Sequence, residues 1–283
     1  MNGKITISDI YEYKAEKRKI AAVSCYDCIT ASVCEKAGID MLLVGDSAAQ
    51  IVLGHKSTLP ATMDFMVELT AGVRRGAENA FLVADMPFLS YQCATSEAIK
   101  NAGRFIVQSQ ADMVKIEATS DYLEVIKAVS QAGISVMAHI GVRPQYIGKT
   151  GKYKAEGRAV QNGMELINLA EQMIYAGAKA LLLEAAAAEI GKVITERTEV
   201  PVISCGAGSG CDGQIMVAPD ILGLTEGKTP KFAKSYADLN QEYLKAFSEY
   251  AKEVKNGAYP DDEHSYHMKK GEFEQLQKEI GKE

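Results

Sequence analysis

Short apolar runs punctuate the chain at residues 20–25, 41–45, 80–84, 113–116, 134–140, 180–183 and 200–205, with a weaker one at 220–224. They are too short for core helices and almost uninterrupted by polar residues. That is the pattern of parallel strands buried on both faces. Between them lie helix-like stretches, as at 96–109, 121–131 and 165–176. Several intervals close on Ala-Gly before the next run (Ala37-Gly38, Ala132-Gly133 and Ala176-Gly177), and glycine suits the left-handed residue that ends a helix. Eight strand–helix units in 283 residues predict an α/β chain folded as a (β/α)8 TIM barrel, a fold that takes about 250 residues. A doubly wound open sheet competes poorly, because no G-x-G-x-x-G follows the first run. Residues 1–283 are read as one barrel domain. Residues 1–19 are expected to form a helix outside the barrel, and the charged segment 263–283 a C-terminal tail, either a solvated helix or frayed.

Composition narrows the partners. At 47% hydrophobic and 24% charged, a chain of this size buries a large core without disulfides or a structural metal. The net charge of -6 and scattered Lys and Arg argue against a nucleic-acid partner. No apolar run is long enough to span a membrane, and residues 1–19 lack the apolar centre of a secretory signal, so a cytoplasmic protein is expected. The six cysteines are then read as reduced thiols. Cys25 and Cys28 have the spacing of a redox or zinc motif, but no second pair stands at finger spacing, although Cys34 follows. His264 and His267 could in principle share a metal, yet a pair on a mobile tail is the expected reading.

The chemistry lies in what ends each run. The second ends in Gly45-Asp46-Ser47, the third in Asp85, the fourth in Lys115-Ile116-Glu117, the fifth at His139 and the sixth at Glu184. A barrel's active site sits at the C-terminal ends of its strands, so these side chains should meet at one mouth. Lys115 and Glu117, two apart on a strand, face the same way. A single acid there could be a helix cap or a surface charge. Ionisable residues at five successive strand ends need compensation, since clustered carboxylates in an apolar barrel repel and are poorly solvated. A hard dication such as Mg²⁺ supplies it, and would polarise a carbonyl and stabilise an enolate. A remaining acid could then move a proton, and Lys115 could hold an anionic group of the substrate. His139 could assist catalysis or be a buried hydrogen-bonding residue. His55 is expected to shape a loop or lid. The glycines 206, 208 and 210 could make a tight turn or line an anion site.

These motifs carry a resemblance. Val44-Gly45-Asp46-Ser47, residues 54–60 with Thr62, Ala84-Asp85-Met86-Pro87-Phe88 and Val114-Lys115-Ile116-Glu117 are similar to the ketopantoate hydroxymethyltransferase family. So are His139-Ile140-Gly141 with Pro144-Gln145, Leu183-Glu184, Gly206-Ala207-Gly208, Cys211-Asp212-Gly213-Gln214 and residues 230–234. The family belongs to the phosphoenolpyruvate mutase/isocitrate lyase superfamily, and the similarity runs in order from about residue 5 to residue 267. It implies transfer of a hydroxymethyl group from 5,10-methylenetetrahydrofolate to 3-methyl-2-oxobutanoate, giving ketopantoate for pantothenate biosynthesis. It also implies Mg²⁺ on Asp46, Asp85 and Glu117, ketoacid contacts from Asp46, Ser47, Asp85 and Lys115, and Glu184 as the proton acceptor. His139 is kept as an auxiliary. The partners expected are a 2-oxoacid, the folate and further copies of the chain, a decamer by resemblance. The alternatives are an Mg²⁺-dependent C–C lyase of the same superfamily acting on another 2-oxoacid, or a catalytically silent barrel. The chain departs from the family pattern at Gln110, Ala118-Thr119, residues 185–188 and Ser204-Cys205. These changes leave the implied metal ligands alone and alter the mouth.

Overall fold

The computed structural model describes residues 3–227 and 229–281. Residues 1, 2, 282 and 283, the outermost parts of the two predicted terminal segments, lie outside the described residues. The strands are β1 (Ile20–Ser24), β2 (Met41–Val44), β3 (Phe81–Asp85), β4 (Met113–Glu117), β5 (Val136–Gly141), β6 (Ala180–Glu184), β7 (Val202–Cys205) and β8 (Gly213–Val217). They close into a parallel barrel in sequence order, with β8 paired to β1. The helices are α1 (Ile7–Ala15), α2 (Cys28–Lys36), α3 (Ala48–Ile51), α4 (Met63–Gly76), α5 (Thr95–Ser109) and α6 (Leu123–Gln131), then α7 (Ile147–Thr150), α8 (Val160–Tyr175), α9 (Ala188–Arg197), α10 (Ala218–Leu222), α11 (Leu239–Asn256) and α12 (Glu272–Ile280). The three Ala-Gly helix ends are left-handed as expected, with φ of 81° at Gly38, 87° at Gly133 and 110° at Gly177.

The two-residue period of the strands sorts the apolar residues into two cores. One gathers alternate strand residues, Ile20 and Ala22, Met41 and Leu43, Phe81 and Val83, with Met113, Met137, Leu182, Ile203 and Ile215. These fill the barrel. The other, including Val44, Leu82, Val114 and Leu183, packs strands against the helices. Helix α1 closes the N-terminal end of the barrel. Its Ile10 is fully buried in the inner core, and Tyr11 and Lys14 bond the Lys179 carbonyl and the Asp212 carboxylate, both just ahead of strands. A capping box between Thr6 and Asp9 starts that helix.

The eighth strand corrects the sequence reading. Residues 220–224 are not a strand: 220–222 belong to α10, which starts with proline in its first turn, while the strand is Gly213–Val217. Proline fixes the first helical φ and lacks only an N–H that would go unused there, so the apolar residues after it continue as helix. The C-terminal part adds a long helix ahead of the expected tail. Helix α11 has no buried residue, and Tyr243, Leu244, Phe247, Tyr250 and Val254 form an exposed apolar stripe along it. Beyond it, α12 is a solvated helix. His264 and His267 are exposed and pair with separate carboxylates, Asp261 and Asp262.

Candidate active site

Along the inner face of the strands, the residue type changes from apolar to polar at the C-terminal end. On β3 the order is Phe81, Val83, Asp85, on β4 Met113, Lys115, Glu117, on β5 Met137, His139, and on β6 Ala180, Leu182, Glu184. Pairing register levels these ends, setting Asp85 beside Lys115, Glu117 beside His139, and Glu184 beside Gly141 and Cys205. Gly141 has φ of 90°, and a Cβ there would lie 2.3 Å from the Glu184 carbonyl oxygen. Only glycine lets the ends of β5 and β6 approach this closely.

The structure brings the expected side chains into one continuous set of contacts. Asp85 Oδ2 accepts from the Asp46 backbone N–H at 3.1 Å and pairs with Lys115 Nζ at 2.9 Å. Lys115 Nζ lies 3.2 Å from His139 Nδ1. His139 Nε2 lies 3.4 Å from Glu184 Oε2 without the alignment of a hydrogen bond. Glu117 Oε2 accepts from the Gln145 N–H at 3.0 Å, while its Oε1 is 3.8 Å from His139 Nδ1. Ser47 exchanges a 2.8 Å hydrogen bond with the Tyr26 hydroxyl, which also receives one from Ser24.

Burial sets the electrostatics. Asp46, Asp85, Lys115, Glu117 and His139 are all buried, whereas the Glu184 side chain keeps 22% of its surface exposed. Burial, then the Asp85 charge, pushes the Asp46 carboxyl up to about 8. Burial also drives Glu117 well above the usual carboxylate range. For Lys115 burial acts downward, but Asp85, Glu117 and Asp46 outweigh it and hold the ammonium above its usual value. Burial and then Lys115 lower His139, so the imidazole is neutral. With the ammonium donating to Nδ1, the ring proton belongs on Nε2, facing Glu184.

Two carboxylate oxygens here, Asp85 Oδ1 and Glu117 Oε1, are buried without a hydrogen-bond partner. A buried charged oxygen left unpaired is costly, and such atoms call for a ligand. Among the described residues, no three His, Cys, Asp or Glu side chains are grouped so that they could hold a metal as they stand. The donors are nevertheless hard oxygens, the type that suits a cation keeping waters or substrate in its shell.

One residue at the centre had no role assigned from sequence. The Gln145 amide donates to Asp46 Oδ2 at 2.9 Å and to the Met86 carbonyl at 3.0 Å, and accepts from the Tyr91 hydroxyl at 2.8 Å. With its backbone N–H on Glu117 it ties two of the carboxylates together. Its only signal was the Pro144-Gln145 motif. The glycine-rich turn proves to be a packed turn: Ser204 Oγ accepts from the Ala207 N–H, and the Phe232 ring sits where a Cβ on Gly206 would go. All six cysteines are free, with Cys25 buried and Cys28 exposed.

Comparison with known proteins places the chain. Solved structures of the same fold include phosphoenolpyruvate phosphomutase from Streptomyces platensis subsp. rosaceus, with a TM-score of 0.60 at 13% identity, covering 98% of both chains. A 2,3-dimethylmalate lyase of the PEP mutase/isocitrate lyase superfamily matches with a TM-score of 0.60 at 16% identity, over 92% of this chain and 89% of that one. At such identities these speak for the fold. The sequence relatives are much nearer. The 3-methyl-2-oxobutanoate hydroxymethyltransferase of Thermoanaerobacter sp. (strain X514) is 42% identical over 272 residues, 96% of this chain and 99% of its own. That of Syntrophus aciditrophicus (strain SB) is 43% identical over 263 residues, 93% and 97% of the two chains. The family model for ketopantoate hydroxymethyltransferase matches residues 4–262. With a match of that extent, and relatives above 40% identity along nearly their whole length, the chain belongs to the ketopantoate hydroxymethyltransferase family.

Proposed function

We propose that the protein transfers a hydroxymethyl group from 5,10-methylenetetrahydrofolate to 3-methyl-2-oxobutanoate, forming ketopantoate. The observation that carries this reading is the contact series from Asp85 through Lys115 and His139 to Glu184, flanked by carboxylates with unspent oxygens. Asp46, Asp85 and Glu117 would hold Mg²⁺, and the two orphaned oxygens fit it. When bound, the ion supplies a Lewis acid for the keto oxygen and so acidifies the neighbouring C3–H.

The chain's own residues do the rest. Lys115, cationic and buried, holds the ketoacid carboxylate, and Ser47 and Asp85 orient it. Glu184 takes the C3 proton, and the C–H electron pair moves toward the keto oxygen. The resulting enolate forms the new bond from C3 to the one-carbon unit as one methylene C–N bond of the folate breaks. Water breaks the second C–N bond and leaves its hydroxyl on that carbon, and tetrahydrofolate departs with the C3 proton and the second water proton on its two nitrogens. Neutral His139 lies beside Glu184, its Nε2 3.4 Å from Oε2, and the carboxylate keeps its partial exposure for substrate. The test is a product assay with 3-methyl-2-oxobutanoate and methylenetetrahydrofolate, with and without Mg²⁺. Ketopantoate that depends on both folate and metal supports the reading. Cleavage of a 2-oxoacid without one-carbon transfer would support the lyase instead, and no turnover the silent barrel.

The same reading takes residues 1–283 as one domain and the protein as a cytoplasmic homo-oligomer, a decamer by resemblance. No described helix is long and apolar enough to cross a membrane. Support for association comes from α11, whose apolar stripe lies off its own barrel and suits burial against a second copy of the chain.

A further inference from the structure

The strand ends divide the mouth into two unlike halves. From β3 to β6 they supply Asp85, Lys115, Glu117, His139 and Glu184, all ionisable. The strands that follow do not. The inward row of β7 is Ile203 then Cys205, that of β8 is Ile215 then Val217, and that of β1 ends at Ser24. Ile203 and Ile215 belong to the inner core, and Cys205 packs against it. Burial, then the Glu184 charge, drives the Cys205 thiol well above its usual range, so the side chain is neutral and behaves as a small apolar group.

Cys205 stands directly beside the base. It pairs in register with Glu184, and its carbonyl accepts from the Ala185 N–H at 2.8 Å. The turn that follows is packed by Phe232, whose ring carbon Cδ1 lies 2.3 Å from where a Cβ on Gly206 would be. The room at this wall is therefore set by the side chain at position 205 and not by a shift of backbone. A 2-oxoacid lies across such a mouth in one sense. Its oxygen-bearing carbons go to Asp85 and Lys115 on β3 and β4, and its C3–H goes to Glu184 on β6. The other substituents of C3 then point onward around the barrel, away from the charged half and toward β7 and β8. They meet Cys205 first and Val217 beyond it. Alkyl groups gain by burial there, and a bulkier side chain at 205 would exclude them.

We propose that Cys205 determines which 2-oxoacids the protein accepts, its small side chain leaving the room that the alkyl groups on C3 occupy. The inference rests on the reading above in which Glu184 takes the C3 proton, and it does not depend on the folate. Cys205 touches the alkyl groups and takes no part in the proton transfer, so changing its size changes preference among substrates. Because the chain departs from the family pattern at this position, the resulting order of preference is a property of this chain.

The test follows exchange of C3 hydrogen in D₂O, with Mg²⁺ and no folate, in the wild type, Cys205→Ile and Cys205→Ala. The acids grow at C3 from pyruvate through 2-oxobutanoate and 3-methyl-2-oxobutanoate to 3-methyl-2-oxopentanoate. Each kcat/KM is divided by that for pyruvate in the same protein. Pyruvate carries no alkyl group on C3, so a general loss of activity cancels. One methylene in an apolar pocket is worth about 10- to 200-fold. Cys205→Ile should lower the ratio for 3-methyl-2-oxopentanoate by at least about tenfold, and Cys205→Ala should raise it. If circular dichroism shows Cys205→Ile unfolded, Cys205→Ala alone decides. Ratios unchanged in the folded variants overturn the proposal, whether the rates are kept or fall together, and leave the proposed function standing. A shift in the same direction in both variants overturns it too. A wild type that exchanges none of these acids overturns the role of Glu184 and this inference with it.

Discussion

Replacing Glu184 by glutamine separates chemistry from binding. The change keeps shape and removes the negative charge. Glu184 keeps 22% of its side-chain surface exposed, and its near partner is His139 Nε2 at 3.4 Å, out of hydrogen-bond line. Little folding energy depends on the carboxylate, so stability should change by under about 1 kcal/mol, within the range of substitutions away from packed or networked groups. Its proposed role as proton acceptor is another matter. A positioned base contributes about 100- to 10,000-fold, or about 3–5 kcal/mol at 1.36 kcal/mol per tenfold. Exchange of the ketoacid C3 hydrogen in D₂O, followed by proton NMR with Mg²⁺ and no folate, reads that step alone. Glu184→Gln should bind ketoacid and Mg²⁺ as the wild type does and exchange at least about 100-fold more slowly. Asp46→Asn, which changes a buried carboxylate accepting from Gln145, should lose both binding and exchange. Exchange by Glu184→Gln at the wild-type rate would refute the assignment of the base.

Gln145→Leu removes the donor to Asp46 Oδ2 and to the Met86 carbonyl, while the Tyr91 hydroxyl keeps the Glu117 carbonyl, at about 1–3 kcal/mol for each buried group left unpaired; the melting temperature should fall by several degrees and KM for the ketoacid rise, and an unchanged pair of values would show that Gln145 does not organise the site. Gln110 sits at φ of 54° at the C-terminus of α5, where a side chain is strained. Gln110→Gly should therefore stabilise by up to about 1 kcal/mol, the strain relieved less the backbone entropy glycine loses, measured as a raised denaturant midpoint. In α11, Leu244→Lys with Phe247→Lys should lower the mass seen by light scattering without lowering helical content by circular dichroism; an unchanged mass would exclude the stripe as an interface.

The strand ends were legible because the barrel's inner face repeats every two residues and turns polar at one end. Asp85, Lys115, Glu117, His139 and Glu184 therefore announced both the fold and the mouth. The eighth strand was not legible, because Gly213–Val217 includes the polar Gln214 while residues 220–224 look more apolar. What decides between them is long-range: β7 and β1 leave a slot in which a Cβ on Gly213 would meet the Ile20 carbonyl at 2.7 Å. Gln145 was passed over because an uncharged residue on a loop carries no pattern; its importance lies in three partners from distant parts of the chain. The apolar stripe of α11 falls on the helical period, but only the folded chain shows that its own barrel leaves it uncovered. Two departures from the family pattern gained a physical description: Gln110 and Ala185 both occupy left-handed backbone, at φ of 54° and 46°.

Helix α1 has a consequence for the timing of catalysis. Its Ile10 joins the inner core that fills the barrel, and the site above that core has a single open end. A vessel with one opening imposes a queue on what passes through it. On the proposed function, the ketoacid sits deep, against Asp85 and Lys115, and the folate above it. The deeper guest arrives first and leaves last. Turnover is then ordered, with the ketoacid ahead of the folate and tetrahydrofolate departing before ketopantoate. The packed interior beneath the site, with Ile10 of α1 at its base, is what imposes that order on the proposed reaction.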